Sequence, residues 1–168
     1  MTLPYLAYGS NLLTARLAAR CPSARAIGAA MILGHTLDFA KHGRDGTGKA
    51  TITQGAARAP GVLFEIAAED IPALDAAEGA GVHYEKIELL LETGQRAFTY
   101  RALMRQAGLA PFDWYLALIR AGRHEHGLGL EDLAAVTPIP DPEPNRPGFI
   151  AAREALSRAG YRDWRAAL

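Results

Sequence analysis

Across residues 31–104 the chain consists mostly of short stretches in which apolar and polar side chains alternate, and one helical stripe interrupts them. The stretches "MILGHTLDFA", "KATITQ", "GVLFEI", "YEKIELLLE" and "QRAFTYRALM" carry the alternation. A period of two gives a strand one face to bury, and the β-branched and aromatic residues here suit that role. Pro60-Gly61 breaks the run before "GVLFEI". The brief turn at Thr93-Gly94 predicts a hairpin of two long strands. The expected sheet is therefore mostly antiparallel or mixed.

The interrupting segment, "EDIPALDAAEG", reads as a short helix. Pro72 suits a first turn, Ile71, Leu74 and Ala77 form the apolar stripe, and Gly79 is the stop. Upstream, residues 5–8 are a short apolar run ended by "GSN", and residues 12–20 show helical spacing with the arginines on one side. Downstream, Asp113 is positioned to cap a helix running to about Arg123, with Trp114, Leu118 and Ala121 along one face. A further helical stretch is expected near residues 130–135. The prolines of residues 137–148 predict an extended strap, and residues 149–165 an amphipathic C-terminal helix. No internal repeat or second core is visible, so residues 1–168 read as one α+β domain.

A chain of 168 residues buries a sizeable core without staples. Its 18 basic and 18 acidic side chains cancel, which argues against nucleic acid or a membrane surface as partner. The lone Cys21 excludes an internal disulfide framework, and its place before Pro22 at the end of an apolar pattern suits a buried thiol. The first residues lack the basic lead and apolar run of a secretion signal, and no run of about 18 apolar residues occurs, so a soluble cytoplasmic protein is expected.

"GRDGTGKAT", residues 43–51, matches the glycine and lysine spacing of a phosphate-binding loop. Ala50 stands where a magnesium-holding hydroxyl is required, and a strand pattern follows instead of a helix. The segment is predicted to be a hairpin loop, with Lys49 solvated.

Tyr8, Gly9, Ser10, Asn11 and Leu12 lie at a strand-to-helix junction, where backbone amides and the helix dipole can cradle a carboxylate. Simple capping by Ser10 or Asn11 is the alternative. Glu78 occupies the last turn of its helix, where the dipole disfavours an ionised carboxylate. Burial there would favour a general base, whereas exposure would make it an ordinary surface acid.

"YLAYGSNL", "GKATI", "GVLFEI", "IPALDAAEGAGVHYEKI" and "WYLALIRAGRHEHGLG", in this order, closely resemble the γ-glutamylcyclotransferase family over residues 5–130. The resemblance implies a small mixed β-barrel with flanking helices. It also implies conversion of a γ-glutamyl amino acid or amine to 5-oxoproline and the free amine, with no metal or organic cofactor. Glu78 matches the family's catalytic glutamate, acting as acid and base on the substrate's own amine. The amides from Gly9 to Leu12 would hold the glutamyl end, and Tyr84 and Tyr115 would wall the pocket or donate a hydroxyl. Asp75, one turn before Glu78, has no such role in the family pattern and reads as structural. Ser10 and Asn11 together point to γ-glutamyl amino acids, because glutathione-specific relatives differ at Asn11 and the γ-glutamylamine branch has Thr at Ser10.

His124 and His126 do not share a helical face and lack ligand-spaced partners, so they read as surface histidines and no metal site is expected. A γ-glutamylamine cyclotransferase and a non-catalytic binding or regulatory protein on the same scaffold are the competing readings. The strap and tail after Pro138 depart from compact family members and are candidates for the pocket mouth or for a homodimer contact.

Overall fold

The computed structural model describes residues Met1–Leu168. Five strands form one mixed sheet in the order β2-β3-β1-β5-β4: β1 is Thr2–Ala7, β2 Arg25–His42, β3 Gly48–Ala67, β4 Tyr84–Leu90 and β5 Arg96–Ala102. The β2-β3, β3-β1 and β4-β5 ladders are antiparallel, and β1 pairs in parallel with β5 at Tyr5 and Phe98. The two edges of the sheet are joined only by an isolated bridge from Ile32 of β2 to Leu91, the residue after β4. The sheet thus curls toward a barrel without closing, which agrees with the α+β class and flanking helices implied by the resemblance and makes its small mixed β-barrel an open one.

Pro60-Gly61 does not break a strand. β3 runs through both residues for 20 positions. Pro60 pairs with Met31 of β2, but the ladder to β1 begins only at Val62, so the missing amide falls where β3 has lost that neighbour. At Gly61 a Cβ would lie 2.7 Å from the Ala7 carbonyl oxygen, so a glycine is required for β1 to end there. The β4-β5 hairpin turns at the predicted place, with Gly94 at φ +81°.

The helices are α1 (Thr14–Ala18), α2 (Ile71–Glu78), α3 (Asp113–Glu125) and α4 (Pro147–Arg158). α2 has its proline in the first turn and ends on Gly79 at φ +64°, as its sequence predicts. Others differ from expectation. In place of one helix over residues 12–20 there is a 3-10 turn, Ser10–Leu12, followed by a helix of only five residues. Phe112, not Asp113, is the N-cap of α3. The segment near residue 130 forms only a 3-10 turn, Glu131–Leu133. The C-terminal helix stops at Arg158, and Gly160 at φ +96° turns the chain into a last 3-10 turn, Trp164–Ala167.

α3 is buried along most of its length because it lies between the Ser10–Leu12 turn and α4. Its Trp114 stacks on Phe149 of α4 and donates from Nε1 to Asp141 in the strap. The strap is tied to the start of α3 by two backbone bonds, Asp113 N to Ile139 O and Ile139 N to Pro111 O. The Asp141 side chain is fully buried. Burial opposes its ionisation, but bonds from Arg146, the Glu143 amide and Trp114 outweigh that and hold its carboxyl below the usual range. At the other end of α3, the buried Arg123 binds Asp132 and the Gly129 carbonyl, which fixes the segment that follows. No helix is long and apolar enough to cross a membrane.

Candidate active site

The junction after β1 is held from three directions. Where α3 passes it, a Cβ on Gly122 would lie 2.5 Å from the Leu12 Cβ and the Leu13 nitrogen, so only glycine lets the helix approach this closely. His126, at the end of α3, bonds through Nε2 to the Leu12 carbonyl at 3.1 Å and packs edge-on against Phe64. It is a packed side chain, contrary to the surface placement expected of it. On the third side Ala50 lies under Gly9, where an added Cβ would be 3.0 Å from that of Ala50.

Residues 43–51 therefore serve the site structurally. They form the β2-β3 turn and the start of β3, where Ala50 is clamped by two tyrosines: Tyr84 Oη donates to its carbonyl at 2.9 Å, and its amide donates to Tyr115 Oη at 3.0 Å. Lys49 is not solvated as predicted. It bonds to Asp45 at 2.7 Å and lies over the rings of Tyr115 and Trp114.

Glu78, at the end of α2, reaches the same place. Its carboxylate is 17 % exposed, and its Oε1 accepts from Asn11 Nδ2 at 3.0 Å and from Arg20 at 2.7 Å. Arg20 also donates to Asn11 Oδ1 at 2.9 Å, closing a three-residue ring of bonds. Oε2 receives no bond from the chain. The Arg20 guanidinium opposes the field of the helix end, which was the electrostatic feature visible in the sequence.

Glu78, Tyr8, Gly9, Ser10, Asn11, Tyr84 and Tyr115 all line one small cavity of about 30 Å³. It shares Ser10, Glu78, Tyr84 and Tyr115 with an outer cleft of about 610 Å³. Leu12 is not part of it. Its side chain is fully buried and its amide is bonded to the Gly9 carbonyl at 3.0 Å, which removes it from the expected cradle. The helix dipole also contributes little, because α1 has only five residues. The amides of Tyr8 and Gly9, in contrast, donate to no group in the chain.

Tyr5, Thr99 and Tyr100 line the cavity as well, and sequence reasoning missed all three. Arg20 was missed too, although its signal was present: arginines at 16 and 20 share one helical face. Tyr5 accepts from Asn11 at 2.9 Å, and Tyr8 donates to the Tyr100 carbonyl. Burial, first, raises the phenols of Tyr5, Tyr8, Tyr84 and Tyr100 above their ordinary range, and it pushes Tyr115 up to about 12. All five are thus neutral hydroxyls near pH 7, and neither Tyr5 nor Tyr115 donates its proton within the chain. Asp75 is engaged by Tyr100 at 2.5 Å and Lys86 at 2.8 Å, consistent with a structural acid.

The family described as "Gamma-glutamyl cyclotransferase, AIG2-like" matches residues 5–116, two thirds of the sequence. The chain belongs to that family. Among solved structures, this cyclotransferase-family chain is similar to a protein named gamma-glutamyl cyclotransferase, with 26 % identity, TM-score 0.81, and coverage of 94 % of this chain and 99 % of the other. It is also similar to the uncharacterized protein loc79017 from Homo sapiens, with 29 % identity, TM-score 0.76 and coverage of 84 % and 92 %. YkqA from Bacillus subtilis shares the fold at 22 % identity and TM-score 0.70, over 82 % of this chain and 56 % of that one. No curated protein sequence matches this family member.

Proposed function

We propose that this protein is a γ-glutamylcyclotransferase acting on γ-glutamyl amino acids, with Glu78 as its general acid and base. The observation that carries the reading is the state of the Glu78 carboxylate: one oxygen is fixed by Asn11 and Arg20, and the other is unengaged beside the cavity. A base needs an oxygen free to accept a proton, and the bonds from Asn11 and Arg20 to Oε1 leave Oε2 in that position.

The substrate's α-ammonium gives a proton to Oε2 of Glu78, and the freed amine attacks its own γ-carbonyl carbon. Holding the glutamyl chain folded makes this ring closure effectively unimolecular and supplies much of the acceleration. Negative charge then grows on the carbonyl oxygen, where the free amides of Tyr8 and Gly9 and the hydroxyl of Tyr115 are the available donors. Attack leaves the ring nitrogen with two protons; collapse breaks the old C–N bond as the leaving nitrogen takes the first proton from Glu78, the freed carboxylate then passes the surplus proton of the ring nitrogen to the released amine, and 5-oxoproline and the amino acid, as its ammonium, depart. No redox step or external reactant is needed for the balance.

Incubation with γ-glutamyl amino acids, glutathione and γ-glutamyl-lysine, with 5-oxoproline measured by mass, tests the reading. Product from the γ-glutamyl amino acids is expected. Its absence from every substrate, with the protein folded, would favour a binding protein on this scaffold.

A further inference from the structure

The outer cleft contains more positive charge than the protein neutralises. Arg20 is paired with Glu78, Lys49 with Asp45, and Arg146 with Asp141 and Glu143. Arg16, Lys41 and Arg44 also line the cleft and meet no carboxylate. Arg44 is exposed and contacts His83, so water satisfies it. Arg16 and Lys41 are in a different position.

Lys41 is only 8 % exposed, makes no hydrogen bond, and lies 5.4 Å from the centre of the Tyr84 ring. A bulge in β2 between Asp38 and Lys41 inserts an extra residue and breaks the alternation, so that Phe39, Ala40 and Lys41 are all buried. Its cross-strand partner is Lys49, a like charge. Arg16 is half-buried, its Nε is shut from water without a partner, and the charge of Arg20, just beyond the end of α1, is again a like charge acting on it. Burial, first, and the neighbouring cation, second, lower the pKa of both groups, Arg16 to about 10. A partly desolvated cation beside another cation is unfavourable for folding alone, and an arriving anion would relieve it. Lys41 lies beside Tyr84 of the inner cavity, and Arg16 lines the same outer cleft as Tyr115 and Glu78.

We propose that Arg16 and Lys41 form an anion subsite for the leaving half of the substrate, which makes the enzyme selective for γ-glutamyl compounds that release a dicarboxylic amino acid. The proposal rests on the cyclotransferase reading above. Two cations without carboxylates correspond to the two carboxylates of a leaving glutamate or aspartate, and a leaving group bearing an ammonium would meet like charge.

The test compares γ-glutamyl-glutamate with its near-isostere γ-glutamyl-glutamine, following 5-oxoproline by mass at low salt. One additional charge-assisted contact corresponds to a KM about tenfold lower for the glutamate compound. In Lys41→Met and Arg16→Gln the ratio of the two KM values should fall toward one, while thermal midpoints hold steady or rise because an unrelieved cation is gone. Equal KM values in the unmodified enzyme, or an unchanged ratio in both variants, overturn the subsite and leave the cyclotransferase reading intact. If neither dipeptide nor any other γ-glutamyl amino acid yields 5-oxoproline, both readings fall.

Discussion

The Nδ2 of Asn11 lies 3.0 Å from the Oε1 of Glu78, joining the loop after the first strand to the end of a helix 67 residues later. That bond, with the one from Arg20, determines which carboxylate oxygen is left unengaged. Glu78→Gln keeps the shape and removes the proton acceptor. It should lower kcat by about 10² to 10⁴-fold, the usual range for losing a general base, while thermal unfolding falls only by what the loss of the Arg20 ion pair costs. Retained turnover in the 5-oxoproline assay would mean that the base is elsewhere.

Gly122→Ala tests the support of the loop. The added Cβ would meet the backbone at Leu12 and Leu13 within about 2.6 Å, and the atoms it meets are not the flexible end of a side chain. Overpacking of this kind costs about 1–3 kcal/mol, and denaturant unfolding should show a loss in that range. Because the displaced residue adjoins Asn11, activity should fall further than the stability loss alone explains.

Tyr115→Phe removes the acceptor of the Ala50 amide, leaving a buried donor unpaired. The expected loss is about 1–3 kcal/mol of stability. A variant as stable as the parent protein would show that water or another group replaces the hydroxyl.

Stability should also decline in alkali. Burial raises the phenols of Tyr5, Tyr8, Tyr84, Tyr100 and Tyr115, so the folded chain keeps protons that the unfolded chain releases above the ordinary tyrosine value of about 10. This contribution is complete below that value and is lost as pH rises toward the folded value, about 12 for Tyr115. Thermal midpoints between pH 9 and pH 12, on the order of the range set by these values, should fall steeply above about pH 10. A flat profile would contradict the burial of these hydroxyls.

Cys21 should resist alkylation in the folded protein near neutral pH. It is fully buried, and burial, reinforced by Asp70, pushes its thiol up to about 11, so little thiolate forms. Rapid labelling by a thiol reagent without denaturant would be inconsistent with this packing.

Local rules were sufficient where neighbours in sequence decide the outcome. The proline-first, glycine-last α2 and the β4-β5 hairpin were legible because capping and turn chemistry act within a few residues. Glu78 and the junction at Tyr8–Asn11 could be singled out because their residues fall in recognisable patterns, and the cavity lined by both requires the fold. What could not be read was decided by contacts distant in sequence. Pro60 is admitted to a strand because β1 stops short of it, Lys49 is withdrawn from water by Asp45 and by aromatic rings of α3, and Leu12 is buried by Gly122. The pairing of Arg20 with Glu78, 58 residues apart, has the same origin. Propensity and periodicity sum over a short window, whereas the burial of a charge and the choice of its partner depend on which surfaces the completed sheet and α3 bring together.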